Sequence, residues 1–204
     1  MAVVGEQLTT PTTAKKNKSF FKKLLTFAFS CDIIIVGIGS PTEREENKML
    51  KMICFDMDGT IADLYGVKGW LEMLRNENPT PYEVAEPMWN TEALNAILMA
   101  LQAKGIEIRI VTWLSKDSTE EYKTATREAK REWLADNAFP YDHFHGVKYG
   151  ATKADSIRKY LAEGETAILI DDNDKIRRGW HMGEAINPTT TDIIEYLAGL
   201  LGEV

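Results

Sequence analysis

The chain has 204 residues, 44% of them hydrophobic and 27% charged, with a formal net charge of −7. That length holds one domain with a real core plus an appendage, and the composition is ordinary for a globular protein. The negative balance speaks against general nucleic-acid binding, because phosphate backbones recruit basic faces.

Residues 1–48 read as an N-terminal extension. The first forty residues carry five lysines against Glu6 and Asp32, so a basic head precedes an acidic body. Residues 5–19 are polar, rich in Thr, Lys and Pro, and lack a hydrophobic period, which predicts disorder. Ser-Phe-Phe-Lys-Lys at 19–23 is followed by an apolar stretch to residue 39 whose only charge is Asp32. One reading is therefore membrane contact through residues 20–39. The stretch falls short of the roughly 20 residues a span needs, and a mid-span Asp costs about 2.5–3.5 kcal/mol. The weight falls on two plainer readings. In one, Ile33-Ile34-Ile35-Val36 is a short edge strand; in the other, translation properly starts at Met49 or Met52. Gly37-Ile38-Gly39 is no dinucleotide fingerprint, since no third glycine and no helix pattern follow.

Residues 49–204 carry a regular pattern. Residues 52–55 form an apolar strand ending in acidic residues and glycine. Residues 67–77 are predicted helical through Val67, Trp70, Leu71 and Leu74, a Pro-rich loop follows at 79–87, and 91–104 is a second helix stopped by Gly105. A strand is expected at 106–111, and a charged amphipathic helix at 118–136 whose residues 120–132 read as a solvated face. Further strands are expected at 145–149 and 167–170. Further helices are expected at 153–162, 174–182 and 191–201. Such alternation gives an α/β, Rossmann-like three-layer fold, a parallel sheet with helices on both faces. A small helical cap at about 61–90 follows the first strand. Ligands in such sheets bind beyond the carboxyl ends of the strands.

Three predicted strands end in reactive side chains: Asp56-Met57-Asp58-Gly59-Thr60, Val111-Thr112 and Asp171-Asp172. Parallel neighbouring strands would bring four carboxylates to one rim, where they repel unless a cation sits among them. An all-oxygen site with few protein ligands suits Mg²⁺, which keeps waters and accepts phosphate oxygens. Asp56 is placed to attack phosphorus. Asp58 is placed to protonate the leaving oxygen and then deprotonate water. Thr112 offers a hydroxyl to phosphate, and Lys153, opening the helix before the third acidic strand, offsets the charge. Lys148 is its rival.

These residues resemble the haloacid dehalogenase (HAD) superfamily over about residues 50–188. Asp56 to Thr60 looks like its first motif, Thr112 its second, Lys153 its third and Asp171-Asp172 its fourth, in the family's order. The resemblance implies Asp56 as nucleophile and metal ligand, and Asp58 as acid/base with its main-chain carbonyl on the metal. It also implies Asp171 as a direct Mg²⁺ ligand, with Asp172 supporting through water or hydrogen bonds. Ile61-Ala62-Asp63-Leu64 and Leu169-Ile170-Asp171-Asp172-Asn173 further resemble the 5′(3′)-deoxyribonucleotidase-like group. The expected activity is hydrolysis of a small phosphomonoester, best a nucleoside monophosphate, in the cytoplasm. The alternatives are removal of phosphate from a polynucleotide end and a non-catalytic module that holds a phosphorylated ligand.

Other conspicuous residues have plainer readings. Asp63 reads as a helix cap. Trp70, Trp89 and Trp113 either pack or line a nucleoside pocket, with Trp70 and Trp89 weighted towards packing. His143, His145 and His181 are not spaced as ligands, and Arg177 and Arg178 read as a solvated helix face. Cys31 and Cys54 form no CxxC pair, and Cys54 reads as core packing.

Overall fold

The structure, a computed structural model, describes residues 48–202; the anchor, edge-strand and disorder readings of the extension lie outside the described residues. Five parallel strands run β1 (Met49–Phe55), β4 (Glu107–Trp113), β5 (His143–Val147), β6 (Glu165–Ile170) and β7 (Ala185–Ile186), ordered β5-β4-β1-β6-β7. A separate antiparallel pair joins β2 (Ala62–Asp63) to β3 (Glu86–Pro87). The helices are α1 (Trp70–Arg75), α2 (Thr80–Val84), α3 (Thr91–Ala103), α4 (Glu120–Asp136), α5 (Lys153–Arg158), α6 (Asp174–Arg178) and α7 (Ile193–Leu200).

Alternation along the strands divides the core into two faces, as a pleated sheet requires. Ile53, Phe55, Ile108, Ile110, Ile168 and Ile170 pack with α3, α7 and the end of α4. Met52, Cys54, Val111, Ala167 and Leu169 face the other way, against Ala154 and Ile157 of α5 and Trp180. The result is an α/β Rossmann-like sandwich. Burial pushes the Cys54 thiol up to about 12, which fits the packing role. Among the described residues, no helix is long and apolar enough to cross a membrane.

The segment after β1 differs from its expected form. A 3-10 turn (Leu64–Gly66) precedes α1, and Gly69, at φ +76°, stands just before α1, so the helix predicted at 67–77 forms only over Trp70–Arg75. Leu71 is exposed rather than inward. The Pro-rich loop contains α2, with Pro81 in its first turn, where the missing N–H costs nothing.

The larger correction concerns α4. Its charged run is not a solvated face throughout: Tyr122, Thr126, Ala129, Lys130, Trp133 and Leu134 are buried, one stripe at helical spacing. That stripe is where the small cap docks. Tyr122 donates its hydroxyl to the Asn78 carbonyl (3.2 Å), and Trp133 Nε1 donates to the Ala85 carbonyl (2.6 Å). Glu77 closes the contact by accepting from the Thr119 amide (2.9 Å) and hydroxyl (2.7 Å) at the start of α4. Replacing Trp133 with Phe orphans the buried Ala85 carbonyl and should cost about 1–3 kcal/mol. Chemical denaturation of the variant checks this, and unchanged stability would show that the contact does not hold the cap.

Candidate active site

β1 lies at the centre of the sheet, with β4 on one side and β6 on the other, and the chain changes direction there. A crevice opens outside the carboxyl ends of strands at such a switch point. Asp56 follows β1 and Asp171 follows β6; the Asp56 amide donates to the Ile170 carbonyl (2.9 Å), extending the ladder by one step. That step sets the two carboxylates side by side.

Lys153, the first residue of α5, is almost fully buried. Its ammonium lies 2.8 Å from Asp56 Oδ1 and 2.7 Å from Asp171 Oδ2. Burial alone would lower the lysine's proton affinity, but the two carboxylates outweigh it and hold the ammonium above its ordinary value. Burial, reinforced by the Asp56 charge and opposed by Lys153, raises Asp171 to about 6. Asp172 is raised by the same two causes. The rival Lys148 is exposed.

Oxygens of Asp56, Asp171 and Asp172 all lie within 4.8 Å of one another. Ionised, the three carboxylates exceed Lys153 by two charges, which one divalent cation would neutralise. Asp56 Oδ1 is buried and, despite its ion pair, makes no well-aligned hydrogen bond. Magnesium ligands sit at about 2.1 Å, so opposed oxygens stand about 4.2 Å apart. Oxygens that lie within 4.8 Å of one another are close enough for one such ion to reach all three with small side-chain shifts. The donor set therefore fits Mg²⁺.

Asp58 stands outside that triad. Its Oδ2 accepts from Lys130 Nζ at 2.6 Å, and the same ammonium donates to Thr112 Oγ1 (2.8 Å) and the Trp113 carbonyl (3.0 Å). Burial raises the Asp58 carboxyl, with Lys130 opposing and Asp56 assisting. Lys130 was invisible to motif reading; its trace in the sequence is a lysine on the buried stripe of α4.

The loop between the two aspartates and the cap is tightly specified. Gly59 has φ +75°, and a Cβ there would stand 2.5 Å from the Tyr65 ring and 2.8 Å from Asp172 Oδ2. Only glycine meets both demands. Thr60 Oγ1 accepts from the Asp172 amide (3.2 Å), tying the first acidic loop to the fourth. Asp63 caps the 3-10 turn through the Gly66 amide at 2.9 Å, the expected role.

A cavity of about 500 Å³ opens between the acidic cluster and the cap. Tyr65 and Trp70 (centroids 5.1 Å apart) and Trp113 and Tyr149 (4.8 Å) line it. Trp89 instead donates to the Thr60 carbonyl (2.8 Å) and packs against the core. Arg177 departs from the solvated reading, since it donates to the Asp171 carbonyl (2.8 Å), whereas Arg178 is exposed. His145 sits beside Arg109 and Tyr160, away from the cluster, and burial with the Arg109 charge lowers it to about 4.

No family model and no curated protein matches the chain. A chain in the Pnkp1/Rnl/Hen1 RNA repair complex is 18% identical, with a TM-score of 0.46, over 72% of this chain and 45% of its own. This chain thus spans less than half the length of that one. A putative HAD-like phosphatase from Mesorhizobium loti is 14% identical, with a TM-score of 0.44, over 81% of this chain and 91% of its own. Likenesses this distant assign neither activity nor substrate.

The raised Asp171 carboxyl sets a pH dependence. Folded protein keeps a proton there that the unfolded chain, near 3.8, has lost, so this group's contribution to metal-free stability falls as pH rises from about 4 through about 6. Mg²⁺ needs the ionised carboxylates and competes with those protons. The rise in melting temperature on adding Mg²⁺ should be clearly larger at about pH 7 than at about pH 5. Equal shifts, or none, in a thermal-shift titration would contradict the metal assignment.

Proposed function

We propose that this chain is a Mg²⁺-dependent phosphomonoester hydrolase working through an aspartyl-phosphate on Asp56. The observation that carries the reading is the pairing of carboxylates with separate ammonium groups: Asp56 and Asp171 share Lys153, while Asp58 is held apart on Lys130. The resemblance of Asp56 to Thr60, Thr112, Lys153 and Asp171-Asp172 to the HAD motifs points the same way. Asp56, Asp171 and Asp172, with the main-chain carbonyl of Asp58, would hold the ion, whose chemistry is to neutralise phosphate oxygens.

In the first step an Asp56 oxygen attacks phosphorus, the ester P–O bond breaks, and the Asp58 carboxyl proton passes to the departing oxygen. The upward shift at Asp58 suits that role, because the group must start protonated. Asp58, now a carboxylate, takes a proton from water as the water oxygen attacks phosphorus. The bond to Asp56 breaks, inorganic phosphate leaves and the Asp56 carboxylate is restored. Lys153 offsets the charge gathered at Asp56 and the phosphate. Thr112 accepts from Lys130, which leaves its hydroxyl proton to donate to a phosphate oxygen.

The aromatic walls of the cavity suit a substrate whose leaving group carries a flat ring, and a nucleoside monophosphate is the reading we favour. Arg75 and Lys116, exposed and also lining the cavity, favour a second reading in which the phosphate ends a polynucleotide. Turnover of a panel of nucleotides, sugar phosphates and end-phosphorylated oligonucleotides, with Mg²⁺ and then with EDTA, ranks the two. Asp56→Asn should abolish turnover in a folded protein, a loss of at least about 10³-fold. Near-normal rates in that variant would reject Asp56 as nucleophile. Phosphate-ester binding without any turnover by the wild type would instead favour the non-catalytic module.

A further inference from the structure

Lys130 is a lysine with no exposed surface, on a helix that otherwise supplies much of the charged exterior. A buried ammonium is costly unless every donor is matched. Here all three are: Asp58 Oδ2 at 2.6 Å, Thr112 Oγ1 at 2.8 Å and the Trp113 carbonyl at 3.0 Å. The ring of Tyr82, from α2 of the cap, lies 4.8 Å from the same nitrogen. With its donors spent, Lys130 has none left for a substrate, and it is absent from the cavity wall.

We propose that Lys130 is a positioning residue for phosphate-ester cleavage, aiming the Asp58 carboxyl at the leaving oxygen. The inference rests on the phosphohydrolase reading above and extends it. By occupying Asp58 Oδ2, the ammonium leaves Oδ1 to carry and deliver the proton. The neighbouring turns of α4 carry the cap contacts of Tyr122 and Trp133, so one helix sets both the cap and the proton donor.

The reactivity of leaving groups distinguishes this role from plain structural support. An alkyl phosphate such as a nucleoside monophosphate needs its leaving oxygen protonated, whereas 4-nitrophenyl phosphate releases a stable phenolate and scarcely does. Lys130→Met should lower kcat on the nucleotide by about 100-fold or more, yet on the aryl ester by less than about 10-fold. Lys130→Arg, which keeps the charge, should recover part of the nucleotide rate. In an Asp58→Asn background, Lys130→Met should cost little further on either substrate, since the two act as one unit. Thermal melts confirm folding, and Lys130→Gln replaces the Met variant if that does not fold. Equal losses on both esters, or a full additional loss in the Asp58→Asn background, would overturn the positioning role. A wild type that turns over neither ester fells the underlying reading, and this inference with it.

Discussion

Everything in the site depends on one buried ammonium: Lys153, held between the carboxylates that end β1 and β6. Neither carboxylate could be taken from water at that depth without compensation, and neither could the lysine. The parallel register of β1 with β6 brings Asp56 and Asp171 level, and α5 delivers Lys153 from the first turn of the element that leads into β6. Sheet, helix and charge are thus mutually required. The cluster is still overcharged by acid, and burial first, with the Asp56 charge second, raises Asp171 and Asp172.

Asp56 and Asp58 lie two residues apart yet face different cations, and that separation allows different roles. Asp56 sits in the acidic cluster, 2.8 Å from the Lys153 ammonium. Asp58 sits on Lys130 in a buried setting that raises its carboxyl above the ordinary value, with Lys130 opposing. On the function proposed above, these surroundings would set two carboxyl groups of the same chemical type to work as nucleophile and proton carrier. The Gly59 turn allows it, because its left-handed backbone bends the chain between the cluster and the cap.

The sheet and the acidic cluster were legible in the sequence because their signals are local. Short apolar runs end in Asp56, Thr112 and Asp171, and the strand-end rule says where such residues point. Lys153 could be preferred to Lys148 because it opens a helix. What stayed hidden depends on contacts distant in sequence. Lys130 sits in a run of Glu, Lys and Arg whose composition looks solvated, and its stripe is buried by the sheet together with the cap residues Asn78, Tyr82 and Ala85. Pro79 and Pro81 read as loop although proline is well suited to the first turn of α2. Gly69, left-handed just before α1, delays a helix that the spacing of Val67, Trp70 and Leu74 had predicted to begin at 67.

The proposed chemistry requires the carboxylates of Asp56, Asp171 and Asp172 to hold one divalent cation between them. Anomalous diffraction from crystals soaked in Mn²⁺, a stand-in with the same oxygen preference, tests it without reference to any substrate. A single strong peak among those three side chains, lost in Asp171→Asn, is the predicted result. No peak there, or a peak at another acidic site only, would contradict it.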